Sequence, residues 1–218
     1  MNNLRQQHSF WGSLSPLGGL TGIGLLIMAC GRLSWAITVA GSLFWVYGLT
    51  SFTFASLSLD KVKKIMPEKG LVTLFTCLAV FFGSVYIILF WLLCPFAALE
   101  VFLLLLLVPL FCANSGIVQQ MHSTAEHKYS DVFDNVSDAI SQAASLASLI
   151  IAFSIIREPL SYCMLTFPGT YQGMVTIMYF KSGAFFPIGI FAASAGSLLL
   201  LGYLICLYQY WKGKMGNG

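Results

Sequence analysis

The chain reads as an all-α membrane protein, with six transmembrane helices in two inverted three-helix repeats whose first and fourth helices are broken. Three observations predict this. The 218 residues are 58% hydrophobic and only 9% charged, against about 25% charged for soluble proteins. Six apolar stretches are visible, at roughly 14–31, 33–59, 71–93, 101–118, 139–156 and 183–208. Two of them carry a proline and small polar residues where a straight span should continue, at Leu14-Ser15-Pro16-Leu17-Gly18-Gly19 and at Pro109 followed by Cys112-Ala113-Asn114-Ser115-Gly116.

The first stretch also holds Gly22 and Gly24, which allow close backbone approach but weaken a straight helix. The third, Leu71 to Leu93, has no charge and at about 1.5 Å per residue is long enough for a hydrocarbon core of about 30 Å. The fourth, Val101 to Val118, is interrupted by Pro109. Hydrocarbon offers no water to backbone groups, so a break there needs protein or a cavity to satisfy them. Breaks at matching positions of two halves point to a functional centre near the midplane. The fifth carries Ala143, Ala144, Ala147 and Ser148, and the sixth Gly189, Ala193 and Ser197, both read as small-residue packing faces. The chain is expected to form a single membrane domain, 1–218, divided into halves 1–96 and 97–218. An odd number of spans per half makes the repeat inverted.

Charge distribution sets the expected orientation. With six crossings, one side receives Arg5, Lys61, Lys63, Lys64, Lys69, Lys128, Lys212 and Lys214, and the other only Arg32, Arg157 and Lys181. The positive-inside rule then puts both termini in the cytoplasm. The loops are expected to be short. No cleaved signal peptide is apparent at the N-terminus.

Metal and redox signals are sparse. The six cysteines, at 30, 77, 94, 112, 163 and 206, show no C-x-x-C spacing and read as small packing residues rather than a disulfide framework. His122, Glu126 and His127 do not match a zinc-helix spacing, so the 121–138 segment reads as a solvated loop. Arg157-Glu158 ends the fifth stretch before Pro159. It has two readings: an interface anchor where proline stops the helix, or a charge pair lining an ion path or docking a partner. Glu100, before the fourth stretch, carries the same ambiguity.

Four stretches together resemble the membrane subunits of the Rnf and Na⁺-translocating NADH:quinone oxidoreductase (Nqr) complexes. Leu14 to Leu17 reads L-x-P-L where that family has L-C-P-L. Val108-Pro109-Leu110 through Asn114-Ser115 matches its I-P-L followed by N-C. Ile156-Arg157-Glu158 resembles the I-R-E that ends its fifth helix. Gly183 to Gly189, GAFFPIG, resembles the opening of its last helix and favours the RnfE/NqrD branch over the sister RnfA/NqrE branch. A Lys-Lys-x-x-Pro turn at Lys63 to Pro67 falls in register.

The resemblance implies a multi-pass subunit of the bacterial inner membrane, paired with its RnfA/NqrE-like sister and with the other subunits of the complex. It implies electron flow coupled to Na⁺ or H⁺ movement, and a [2Fe–2S] cluster shared with the sister. The chain departs from the pattern at the cluster positions, which are Ser15 and Ser115 rather than cysteine. A serine hydroxyl is a harder, poorer ligand than the thiolates that hold such clusters. Cys112, three residues before Ser115, is the nearest thiol that could substitute, and no cysteine lies comparably close to Ser15. No Gly-rich phosphate loop is present, so no nucleotide site is expected. The alternatives are a multi-pass transporter or channel on the same scaffold without redox chemistry, and an assembly subunit that has lost electron transfer. No acidic residue falls inside the six stretches, which speaks against a cation-coupled carrier.

Overall fold

The computed structural model describes residues 24–25, 27–56, 68–114, 132–169, 173–180 and 189–215. Five long helices fill most of this: α1 (Leu33–Ser56), α2 (Glu68–Leu93), α3 (Pro95–Asn114), α4 (Val132–Tyr162) and α5 (Ser194–Met215). Four segments are long and apolar enough to cross a membrane, Leu33–Phe54, Thr73–Leu93, Pro95–Ala113 and Ala139–Tyr162. In α5 only Ala195–Leu204 is comparably apolar. A hairpin of two antiparallel strands, β1 (Met164–Pro168) and β2 (Met174–Tyr179), and a 3-10 turn (Gly189–Ala192) lie between α4 and α5.

The centre of the bundle is α1, which packs most extensively on α4 and also touches α2, α3 and β1. Its buried residues Ala36, Val39, Leu43, Val46, Tyr47, Thr50 and Phe54 recur at three- and four-residue steps, one face of a helix. They join Phe75 and Ala79 of α2, Leu105 and Val108 of α3, and Ala143 and Ile150 of α4 in a single core. By contrast α2 and α5 turn large apolar side chains outward, including Phe81, Trp91, Leu92, Leu199 and Tyr203. In lipid such faces are solvated by hydrocarbon and need no further cover.

Between α2 and α3 the chain reverses at Cys94 alone. Cys94 N–H closes α2 on Phe90 O at 2.8 Å, and Cys94 O accepts from Ala98 at 2.9 Å to open α3. Pro95 then takes the first helical position, where its missing N–H costs nothing.

Several expectations need correction. No helical break occurs at Pro109: α3 runs through it from Pro95 to Asn114. The proline ring is accommodated by Gly83 of α2, where a Cβ would stand 2.8 Å from Pro109 Cγ. Nor does Pro159 stop α4, which continues to Tyr162. The stop comes at Cys163, whose φ of 52° turns the chain out of the helix. The sixth stretch is not one helix. The 3-10 turn gives way to α5 at Ala193, which separates Gly189 from Ser197 and removes their shared helical face. The segment between the fifth and sixth stretches is a hairpin rather than a short loop. The end of the 121–138 segment, from Val132, is already helix, while His122, Glu126 and His127 lie outside the described residues, as does Lys63 to Pro67.

Candidate functional site

The start of α1, the corner at Cys94, the end of α4, the hairpin and the start of α5 all gather at one end of the bundle. Arg157 and Glu158 of α4 organise this end, and both are buried, with Glu158 wholly so. Burying two charges is costly unless each is densely hydrogen-bonded, and here each is.

Arg157 binds carbonyls. Nε donates to Phe191 O at 2.8 Å, Nη2 to Ala192 O at 3.1 Å, and Nη1 to Ile27 O at 3.1 Å. Helical residues precede Ile27 and follow it to Ala29, and the 3-10 turn spans Phe191 and Ala192. These are carbonyls at C-terminal ends, the negative pole of a helix. The planar guanidinium fork can reach several of them at once. Where the chain breaks after the 3-10 turn, Gly196 sits directly against the Ile190 carbonyl oxygen, an approach that only a residue without Cβ permits.

Glu158 binds amides. Oε2 accepts from Leu33 N–H at 3.0 Å and Thr166 N–H at 3.1 Å, and Oε1 accepts from the Thr166 hydroxyl at 2.6 Å. Leu33 is the first residue of α1, so the carboxylate sits at the positive end of the central helix. Thr166 also stands 3.3 Å from Ser34 Oγ. The hairpin register slips between Leu165 and Thr166, beside the amide that turns to Glu158. One dipeptide therefore holds both sides of the turn at residues 27–33, the head of the hairpin and the break before α5.

The interface-anchor reading of Arg157-Glu158 is thus replaced by a buried node, because the turn at residues 27–33, the hairpin and the 3-10 turn close over the pair. The expectation that the spans hold no acidic residue is corrected with it, since Glu158 lies within Ala139–Tyr162. Glu100 is exposed, one turn and a half into α3, and accepts from Trp35 Nε1 at 3.3 Å. The sequence pointed to Arg157 and Glu158. It gave no sign of Thr166, Ser34 or the Ile27 carbonyl as their partners, which only the folded hairpin and turn bring near.

Of the expected cluster positions, Ser15 and Ser115 lie outside the described residues. Cys112 is fully buried on α3, beside Phe111, whose ring meets Tyr47 of α1 at a centroid distance of 6.2 Å. Its level in the bundle follows from Pro109. Gly83, against which Pro109 packs, is the middle residue of the Thr73–Leu93 span, and Cys112 lies three residues, about 4.5 Å, further along α3. Among the described residues, no three His, Cys, Asp or Glu side chains gather as a metal-binding group. Cys30 and Cys163 are buried as packing cysteines should be, but Cys77 and Cys206 are exposed on outward faces. Cys30 also donates to Ile150 O at 3.5 Å.

Compared with protein-family models, curated proteins and solved structures, the chain finds no match.

Proposed function

We propose that this chain is an integral membrane subunit of an ion-translocating electron-transport complex of the Rnf or Nqr type, and that its part is to scaffold electron transfer at mid-membrane beside an RnfA/NqrE-like sister. The observation that carries this reading is the level of Pro109 and Cys112. The second of the motifs that resemble the family stands at the middle of the α2 span, with a buried thiol one turn away. The third motif, Ile156-Arg157-Glu158, supports it by forming the node that fixes one end of the bundle.

The proposed orientation, with both termini in the cytoplasm of a bacterial inner membrane, is supported by the placement of charge. Arg32 and Arg157 lie at the hairpin end, while Lys69, Lys212 and Lys214 belong to the opposite ends of α2 and α5. The inverted repeat of six spans belongs to the same proposal. The donor set does not fit a [2Fe–2S] cluster that takes two thiolates from this chain: both matching positions, Ser15 and Ser115, are serine, and Cys112 nearby is a single thiol. The scaffold role stands without such a cluster.

The test is purification of the tagged chain from its native membrane in mild detergent. Recovery of a homologous sister subunit together with flavin- or iron–sulfur-bearing partners supports the proposal. Recovery without any redox subunit overturns it.

One observation favours a second reading, a transporter or channel. Glu158 is an acidic residue enclosed within a span, and intramembrane carboxylates commonly mark ion pathways. That reading requires ion or solute flux in liposomes from this chain alone, where the subunit reading requires none.

A further inference from the structure

At the hairpin end several contacts gather around the Trp35 side chain. Arg32 at the head of α1 lies over the Trp35 ring at 5.7 Å and over the Tyr162 ring at 5.5 Å. The edge of the same indole donates to Glu100 of α3 at 3.3 Å. Arg32 Nη1 also reaches Met174 Sδ at 2.8 Å, and a Cβ on the adjacent Gly173 would lie 3.5 Å from Phe96 Cβ, one turn before Glu100. One indole thus carries a cation on its face and a carboxylate at its edge, where α1, α3 and β2 meet.

Neither charge is met by an opposite charge among the described residues. A guanidinium has five donors, yet the only hydrogen-bond acceptor described for Arg32 is a thioether, a weak one. Among the described residues, Glu100 receives only the indole N–H. The indole holds the two charges apart, and no ion pair joins them among the described residues. From Glu100 toward the far end of α3, Leu103, Leu106 and Leu110 are all exposed, an apolar track along the outward side of the helix.

We propose that Arg32, Trp35 and Glu100 form a site for the headgroup of a phosphatidylethanolamine-class lipid. The phosphate meets the Arg32 guanidinium, the primary ammonium meets the Glu100 carboxylate, and an acyl chain follows Leu103, Leu106 and Leu110. The chemistry selects among headgroups. An anionic glycerol headgroup satisfies Arg32 but faces repulsion from Glu100. A choline headgroup carries the right charges but has no N–H to donate to the carboxylate, whereas a primary ammonium has three. Indole and phenol rings at this depth suit the membrane interface. The site is independent of whichever complex the chain joins.

Native mass spectrometry of the full chain, released from bilayers of equal phosphatidylethanolamine, phosphatidylcholine and phosphatidylglycerol, tests this. The expected result is preferential retention of the ethanolamine lipid. Glu100→Gln should lower its preference over the choline lipid by about tenfold, the loss of one charge-assisted hydrogen bond. Arg32→Lys should weaken all three lipids together. Equal retention of the choline and ethanolamine lipids, a dominant glycerol lipid, or an unchanged preference in Glu100→Gln overturns the proposal. Glu100 is exposed, so that variant remains informative even where Arg32→Lys impairs folding.

Discussion

Arg157 and Glu158 are adjacent in the chain yet bind backbone ends of opposite polarity. The guanidinium holds the carbonyls of Ile27, Phe191 and Ala192, and the carboxylate holds the amides of Leu33 and Thr166. Each charge is thereby placed at the pole of the backbone that attracts it. Segments distant in sequence are tied to the end of one helix.

Removal of the arginine should therefore be severe. Arg157→Met leaves three part-buried carbonyls without their charged donor, a loss of about 3–5 kcal/mol at about 1–3 kcal/mol for each orphaned acceptor. Arg157→Lys should recover only part of it, because one ammonium cannot match the spread of the guanidinium fork. Denaturant or thermal unfolding in detergent micelles measures both, and a lysine variant as stable as the parent would contradict the carbonyl geometry.

For Glu158→Gln the loss should be smaller, about 1–3 kcal/mol, since an amide keeps one acceptor oxygen but sets an N–H against donors that need acceptors. The loosening should be local. Amide exchange should accelerate at Thr166 and Leu33 before it does in the middle of α1. Uniform acceleration throughout the bundle would count against a local clasp.

At the α2–α3 contact, Gly83→Ala brings a Cβ to 2.8 Å from Pro109 Cγ. The ring is held by its own backbone, so overpacking should cost about 1–3 kcal/mol. Pro109→Ala in the same chain should relieve most of that cost, which a double-mutant cycle on unfolding free energies detects. Additive effects would show that the two residues do not touch.

Ser154 presents the opposite case. Helical serines commonly bond the carbonyl four residues back, but that carbonyl, Ile150 O, accepts from the Cys30 thiol. Among the described residues the Ser154 hydroxyl has no partner, and neither do those of Thr50, Ser51 and Ser161. Ser154→Ala should then be neutral or stabilise by up to about 1 kcal/mol, because an unsatisfied buried hydroxyl is removed. A clear destabilisation would reveal a water or ion on that hydroxyl.

The sequence was most legible where the physics is local. Hydrocarbon length and freedom from charge located α1, α2 and α4; of the small-residue face on α4, Ala143 and Ala147 are buried, while Ala144 is half-buried and Ser148 exposed. Prolines misled. The ring forfeits a backbone bond, which suggests a break at Pro109 and a stop at Pro159, but a glycine on a neighbouring helix makes room for the first. The second forfeits its own backbone bond, yet α4 continues three residues past it to Tyr162. The hairpin went unseen because Met164 to Tyr179 has no charge and no marked alternation. Its pairing depends on Cys163 adopting a left-handed turn and on a carboxylate eight residues back from Thr166. The candidate site was half visible: the charge pair announced itself, but its partners are backbone atoms with no signature in side-chain chemistry.

Hydrogen exchange in lipid nanodiscs, comparing the parent chain with Arg157→Met, tests the node most directly. Exchange should rise together at residues 27–33 and 189–197, on both sides of the missing guanidinium, while the middle of α1 and the α2–α3 pair stay protected. If those two segments keep the parent's protection, or if only one responds, Arg157 does not join them.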